Sequence, residues 1–422
     1  MIGELIELRQ LRQNPKLDPV EIEALQQRKL RAIVRHAYAQ VPYYRSLFDS
    51  VGLHPGDIHS VDDLKHLPIT TKDDLRAAGL NNIIARDVKL SSCVSAVTTG
   101  STGKPFTIYL SRSDLRTYRL VAFRALLAIG LRAQDRLAIV GITRPQRTRL
   151  YQRLGLYRSM NIHPQLPLTE QCKRLKQMDP TVLWFYPTAL RALLRYVDDQ
   201  LTTLVRPRML ITGAEVFDDN LRVRIQANFD IEMFNFYGAV EIGRIAAECP
   251  AHEGLHVNMD HVVLECVDGA HPVAPGKPGG AVVTTLNNFT MPLIRYRLGD
   301  ICTFLNGHCA CRSFFPLIAP PLGREEELII LPSGTGLIPQ GVHTIMRKFD
   351  GIDQYRLIQE SYDQLVLQLV WRNNPQEELL SEMRAQLIIF LGEPVKLDIQ
   401  SVSVIPEEKM KFRAFVSRLP KE

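Results

Sequence analysis

No apolar run in these 422 residues reaches the roughly 20 positions a membrane-spanning helix needs, so no such helix is expected. Met1 to Lys16 is polar and charged, without the apolar centre of a secretory signal. Internal repeats and low-complexity segments are absent. There is no helix-turn-helix pattern and no interleaving of basic and aromatic residues, which argues against a nucleic-acid partner. Charge of one sign is not in excess either: the net charge is +6 and the basic residues are scattered. What remains is ordinary for a globular protein, with 45% hydrophobic and 23% charged residues, and the length suits a large core and more than one domain. Seven cysteines, an odd number in a long chain without a secretory signal, predict reduced thiols and a cytoplasmic location.

Periodicity supplies the organisation. Leu17 to Ala39 reads as an amphipathic helix. Asp114 to Ile129 reads as a second, with Leu115, Tyr118, Val121, Ala122, Ala125 and Leu126 near one face and Gly130 as its stop. Arg136 to Ile142 and Met209 to Thr212 have the pattern of buried strands, and Pro187 to Leu201 that of a helix between them. Such alternation argues for an α/β domain. Gly276 to Gly280 is a turn before a strand at Ala281 to Leu286. After a linker at Ala319 to Arg324, two strand-like runs from Tyr355 to Val370, a helix at Glu377 to Phe390 and a strand at Val395 to Val404 fit a compact α+β domain.

Thr98-Thr99-Gly100-Ser101-Thr102-Gly103-Lys104-Pro105 is the segment richest in chemistry. Its glycines permit tight turns, its hydroxyls and backbone N–H groups can converge on one anion, and Lys104 adds a point charge. It is no Walker A motif, which would need Gly at Thr98 and Ser or Thr at Pro105. Leu90 to Val97 and Phe106 to Leu110 are rich in β-formers, so the segment should link two strands. Further along come Phe236-Tyr237-Gly238-Ala239-Val240-Glu241, Arg295-Tyr296-Arg297-Leu298-Gly299-Asp300, Gly323-Arg324-Glu325-Glu326 and Lys409-Met410-Lys411-Phe412-Arg413. In this order the motifs resemble those of the adenylate-forming enzymes, which include acyl-CoA ligases, nonribosomal peptide adenylation domains and luciferases. Within them the chain is most similar to the phenylacetate–CoA ligase branch, with its capsule-biosynthesis and cofactor-adenylating relatives. Arg35-His36-Ala37-Tyr38, Val41-Pro42-Tyr43-Tyr44-Arg45 and Leu67-Pro68-Ile69-Thr70-Thr71-Lys72 also resemble that branch, so the likeness runs from about residue 25 to the end.

The resemblance implies an acyl-CoA synthetase-like fold. A large N-terminal α/β domain with mixed buried sheets would span 1–322, and a small mobile α+β domain 323–422, with a hinge near 323–326. It implies ATP-dependent activation of a carboxylic acid to an acyl-adenylate, with loss of pyrophosphate, and then transfer to CoA as a thioester. An aryl acid is the family's default. Thr98, Thr99, Gly100, Ser101, Thr102, Gly103 and Lys104 would hold the leaving phosphates. Glu241 would bind Mg²⁺, a hard cation suited to carboxylate and phosphate oxygens. Tyr237 and Gly238 would flank the adenine, with Gly213-Ala214-Glu215 as the opposite wall. Asp300 would accept from both ribose hydroxyls, and Arg324 would reach the phosphates. Lys411 would stabilise the charge developing during adenylation alone, with Lys409 its rival. Arg144, Arg147, Arg149, Arg153 and Arg158 form either a solvated helix face or a surface for the nucleotide part of CoA. A homodimer is the family-level expectation.

Cys249, Cys309 and Cys311 supply three thiols and His252 and His256 two imidazoles, and three Cys with one His make a closed tetrahedral zinc set. Many members of the branch pair Glu-Cys-Pro and Leu-His-Val segments with a Cys-x-Cys-Gly-Arg turn, which favours His256 over His252; here that glycine is missing, leaving Cys311-Arg312. Two other departures stand out. Val240 replaces a hydroxyl residue, and Met410 replaces the glycine before the catalytic lysine. The acid pocket is expected between Trp184-Phe185-Tyr186-Pro187 and Tyr237, although Trp184 to Tyr186 serve equally as core. Two other readings are a different acceptor (a cofactor, amine, hydroxyl or carrier thiol) and a catalytically weakened nucleotide-binding protein.

Overall fold

The computed structural model describes residues 2–98, 106–141, 150–198, 200–217, 219–321, 323–346, 348–349, 351–372, 377–406 and 413–420. Thr99 to Lys104, Arg144, Arg147, Arg149, Lys409, Met410 and Lys411 lie outside them. The chain forms two compact units, 1–132 with 234–321 and 133–233 with 322–422.

In the first unit the helix Pro19–Gln40 starts where Asp18 accepts from the Glu21 backbone, Glu21 reciprocates, and Pro19 supplies a preset φ. Ile22, Gln26, Leu30, Ile33 and Ala37 recur every three or four residues and form its buried face. The strands Val94–Thr98 and Phe106–Leu110 pair antiparallel from Val94 opposite Leu110 to Thr98 opposite Phe106, as expected for the flanks of the phosphate-loop motif. Upstream, Leu90–Ser92 is a 3₁₀ turn, so the strand starts later than the β-former run predicts. Helix Arg112–Ala128 follows, capped by Ser111. One antiparallel sheet is ordered His271–Pro272, Val262–Asp268, Gly279–Thr285, Tyr296–Cys302. Another set of antiparallel neighbours runs Leu317–Ile318, Leu255–Val257, Gly243–Glu248, Glu232–Ala239. A core of Ile108, Ile245, Val283, Leu293 and their neighbours packs against both.

The expectation that all thiols are reduced needs correction. Cys266 and Cys302 are joined by a disulfide, with Cα atoms 5.9 Å apart, inside the same core. Counting cysteines gives no information on which two strand positions meet, so composition could not locate this pair. The other five are free.

In the second unit Met209–Gly213, Val182–Phe185, Arg136–Val140 and Arg158–Ile162 lie side by side and parallel. Met209–Gly213 is buried at every position, the signature of a strand covered on both faces. Helices Leu168–Met178 and Pro187–Tyr196 lie on the connections between these strands, and Asp219–Asn228 follows Met209–Gly213. In the same unit the described residues after 322 form an α+β element. Its mixed sheet is ordered Lys396–Ser401, Gln364–Trp371, Ile352–Ser361, Phe415–Ser417, and helix Glu377–Leu391 packs on it through Met383, Leu387 and Leu391. The large α/β portion with mixed buried sheets and the smaller C-terminal α+β portion are thus both present. Among the described residues no helix is long and apolar enough to cross a membrane.

Candidate nucleotide site and metal centre

Thr98 ends its strand with a side chain that is almost fully buried, and its hydroxyl accepts from the Phe106 N–H at 3.3 Å, closing the hairpin. Lys72 reaches the same hydroxyl at 3.5 Å and the Glu241 carboxylate at 3.2 Å. It begins the helix Lys72–Ala78, whose first turn is fixed by a reciprocal Thr71–Asp74 capping box. Sequence reasoning quoted Lys72 within a motif but assigned it no role. The signal was available, because Thr71 followed by Asp74 places Lys72 at the first helical position. Glu241 is buried in the turn between strands Glu232–Ala239 and Gly243–Glu248, and the Tyr118 hydroxyl donates to its carbonyl at 3.5 Å.

Gly238 explains the Tyr-Gly pair. A Cβ there would lie 2.3 Å from the Gly243 carbonyl oxygen, so the two strands approach this closely only through glycine. Gly243 has φ +80°, which suits the return of the turn. Val240, at the tip, is 49% exposed. The departure from a hydroxyl residue therefore puts an apolar surface side chain, and no core contact, next to Glu241.

Tyr237 and Asp300 are 63 positions apart in sequence, and the structure brings them together: the tyrosine hydroxyl donates to an Asp300 carboxylate oxygen at 2.8 Å. A carboxylate has about four lone-pair sites, so the bond orients Asp300 while leaving it acceptor capacity for other hydroxyls.

In the second unit Gly213 ends its buried strand, and Ala214 takes φ +68°, a left-handed conformation unusual for alanine. Glu215 accepts from the Thr188 N–H at 2.9 Å and hydroxyl at 2.7 Å. Its carboxylate therefore caps helix Pro187–Tyr196, whose own N-cap residue Tyr186 makes no side-chain cap bond. Arg324 opens the 3₁₀ turn Glu325–Glu327, its backbone N–H bonded to Glu327, directly after Gly323 at φ +129°.

The metal-ligand residues form the second constellation. One ligand atom from each of Cys249, His256, Cys309 and Cys311 lies within 4.8 Å of all the others. Cys249 and Cys309 sulfurs are 3.5 Å apart, and Cys311 Sγ is 3.2 Å from His256 Nε2. His256 Nδ1 donates to the Phe315 carbonyl at 2.9 Å, which fixes the tautomer and turns Nε2 toward the sulfurs. Burial holds the imidazole below its usual pKa and pushes the Cys249 and Cys309 thiols up. An N/S₃ set of this compactness fits a tetrahedral soft-to-borderline dication such as zinc, which would compensate the thiolates directly. His252 is directed elsewhere: it bonds Glu248 at 3.0 Å and stacks on Phe234 at 5.1 Å. Arg312, standing where the motif's glycine would be, has φ +63°.

Residues 329–418 match the CapK C-terminal domain family. Across a 435-position alignment covering 95% of this chain and 96% of the relative, the sequence is 28% identical to a phenylacetate–coenzyme A ligase of Aromatoleum evansii. It is 27% identical to the enzyme of the same name from Escherichia coli K12, with 81% of each covered. In fold it is similar to a crystal structure of 2-hydroxyisobutyryl-CoA ligase in the postadenylation state with an acyl-AMP ligand. That match has a TM-score of 0.80 at 18% identity and covers 96% of this chain and 91% of the other.

Proposed function

We propose that this chain is an AMP-forming acid–thiol ligase of the adenylate-forming superfamily, on its phenylacetate–coenzyme A ligase branch. A carboxylate oxygen attacks the α-phosphorus of ATP, the α–β phosphoanhydride bond breaks, and pyrophosphate leaves. The coenzyme A thiol then attacks the acyl carbon, AMP departs, and the thiol proton is lost to solvent. The observation that carries this reading is the Lys72–Glu241–Thr98 contact at the mouth of the hydroxyl-rich loop, together with the Tyr237–Asp300 pair in the same unit.

The barrier to such a transfer is mainly positional and electrostatic. Thr98 anchors a loop whose members, Thr99 to Lys104, hold the leaving phosphates. Lys72 adds a cation where that loop begins. Asp300, oriented by Tyr237, accepts from the ribose hydroxyls. Glu241 would hold Mg²⁺, which would supply charge neutralisation at the phosphates. Gly213 to Glu215 contact the base, with Glu215 setting the loop's position through the helix it caps. Arg324 reaches the phosphates, and Lys411 supplies charge to the adenylation step. Residues 323–422 move as a lobe hinged near 323–326, a motion that Gly323 in a glycine-favouring conformation accommodates. Cys249, His256, Cys309 and Cys311 would hold one structural zinc, whose charge would balance their thiolates. The reading includes a cytoplasmic location, where ATP and coenzyme A are available.

A second reading retains adenylation and passes the acyl or adenylyl group to an acceptor other than coenzyme A. One assay tests both: pyrophosphate release with ATP and Mg²⁺ across aryl and aliphatic acids, with and without coenzyme A. Acid-dependent release that turns over only with coenzyme A supports the first reading. A single-turnover burst indifferent to coenzyme A supports the second, and silence with every acid overturns both.

A further inference from the structure

Asp353 is not part of any motif quoted above, yet it gathers three arginines. It is the second residue of strand Ile352–Ser361, at an irregularity where the pairing skips from Ile352 to Gln354. A bulge of this kind re-aims one side chain. Here the re-aimed carboxylate is almost fully buried and meets three guanidinium groups from the 133–233 segment of the same unit. Arg195 Nε donates to one oxygen at 2.5 Å, and Arg224 donates to the other. Arg191 donates to the Asp353 carbonyl at 2.5 Å and lies 4.0 Å from its carboxylate. Arg195 also bonds the Gln354 side chain at 3.0 Å. Arg191 and Arg195 stand four apart on helix Pro187–Tyr196 and so share a face, while Arg224 comes from helix Asp219–Asn228. Two helices of the parallel-sheet segment thus grip a single backbone position of the C-terminal sheet.

What this grip positions can be traced. Strand Ile352–Ser361 pairs with Phe415–Ser417, and Arg356 donates to the Arg413 carbonyl at 3.1 Å. Arg413 is two residues beyond Lys411. Arg413, Glu215, Gly323 and Asp353 all line one open cleft. The docking held by Asp353 therefore belongs to the same sheet that places Arg413 on the cleft shared with Glu215.

We propose that Asp353 is a positioning residue for adenylation, holding the C-terminal lobe in the docking that serves the first half-reaction and not the second. This rests on the ligase reading and on the assignment of Lys411 to adenylation. In its test, the full-length chain carrying Asp353→Asn is assayed for pyrophosphate release with ATP and phenylacetate. It is assayed separately for thioester formation from supplied phenylacetyl-adenylate and coenzyme A. The expected result is a loss of about tenfold or more in the first, mainly in kcat, with the second within about twofold of the parent chain. Asp353→Glu should recover most of the first half-reaction. Arg195→Gln, which alters the most exposed of the three partners, provides a milder variant should Asp353→Asn fold poorly. Equal losses in both half-reactions, or none, would overturn the proposal. If the parent chain releases no pyrophosphate with any acid, the ligase reading fails instead. Hydrogen exchange of backbone amides 187–196 and 352–356 then decides the docking role. Faster exchange in both segments of Asp353→Asn supports it, and unchanged exchange overturns it.

Discussion

Within the first unit, Glu241 of the Lys72–Glu241–Thr98 constellation and Cys249 of the zinc-type cluster flank the two ends of strand Gly243–Glu248, yet the two clusters solve opposite problems. The cluster is closed. His256 is oriented by a backbone carbonyl, its Nε2 and three sulfurs converge, and one dication would satisfy all four. The constellation is open, since its buried carboxylate is balanced by a lysine from another helix at the edge of a loop, with the aspartate–tyrosine pair nearby in the same unit. Closure favours stability, and openness favours exchange of charged ligands. Damage to each should therefore register in a different measurement.

The sharpest break of that contrast is Glu241→Gln. Acid-dependent pyrophosphate release should fall on the order of a thousandfold, with the unfolding midpoint nearly unmoved; retained activity would remove Glu241 from the mechanism. Cys309→Ser should do the reverse. One zinc per chain, measured by elemental analysis in the parent, should disappear, and the stability loss should be on the order of 3–4 kcal/mol. A parent chain without metal would sink the zinc assignment.

A pH titration sharpens the comparison further. His261 bonds the Ile242 carbonyl at 3.0 Å, next to Glu241, and burial lowers its pKa to about 4. The unfolded imidazole titrates near 6.5. Between those values the unfolded chain binds the extra proton, so the stability His261 contributes is fully present above about pH 6.5 and is lost as the pH falls toward 4. The loss should be at most about 3 kcal/mol, read as a shallower pH dependence of unfolding in His261→Asn. An unchanged slope would assign the acid sensitivity elsewhere. The smallest effect concerns Arg312. At φ +63° a glycine avoids steric strain but adds chain entropy, so Arg312→Gly should gain only about 0.5 kcal/mol. A loss would mean that the arginine side chain contributes more than the strain costs.

These contrasts also mark what the sequence disclosed. Periodicity placed the first long helix to within two residues, because Asp18, Pro19 and Glu21 set its start locally. Motif order found Tyr237 and Asp300 but not the bond between them, which depends on strands distant in sequence. The metal ligands were legible because their chemistry is confined to few residue types. Lys72 was not, since one lysine in a polar segment is indistinguishable from a solvated one until its partners are known. Cys266–Cys302 and Asp353 were hidden for the same reason: an irregular register, visible only in three dimensions, decides which side chains meet.

One short helix joins several of these observations. Pro187–Tyr196 has ten residues, which at about 1.5 Å of rise each make a rod of roughly 15 Å. Glu215 fastens one end of it, and Arg191 and Arg195 farther along hold the C-terminal sheet. Such a rod serves as a ruler: inserting or deleting a single residue within it would rotate both arginines by about 100° relative to the capped end. Its length is therefore expected to tolerate substitution far better than any change in residue count.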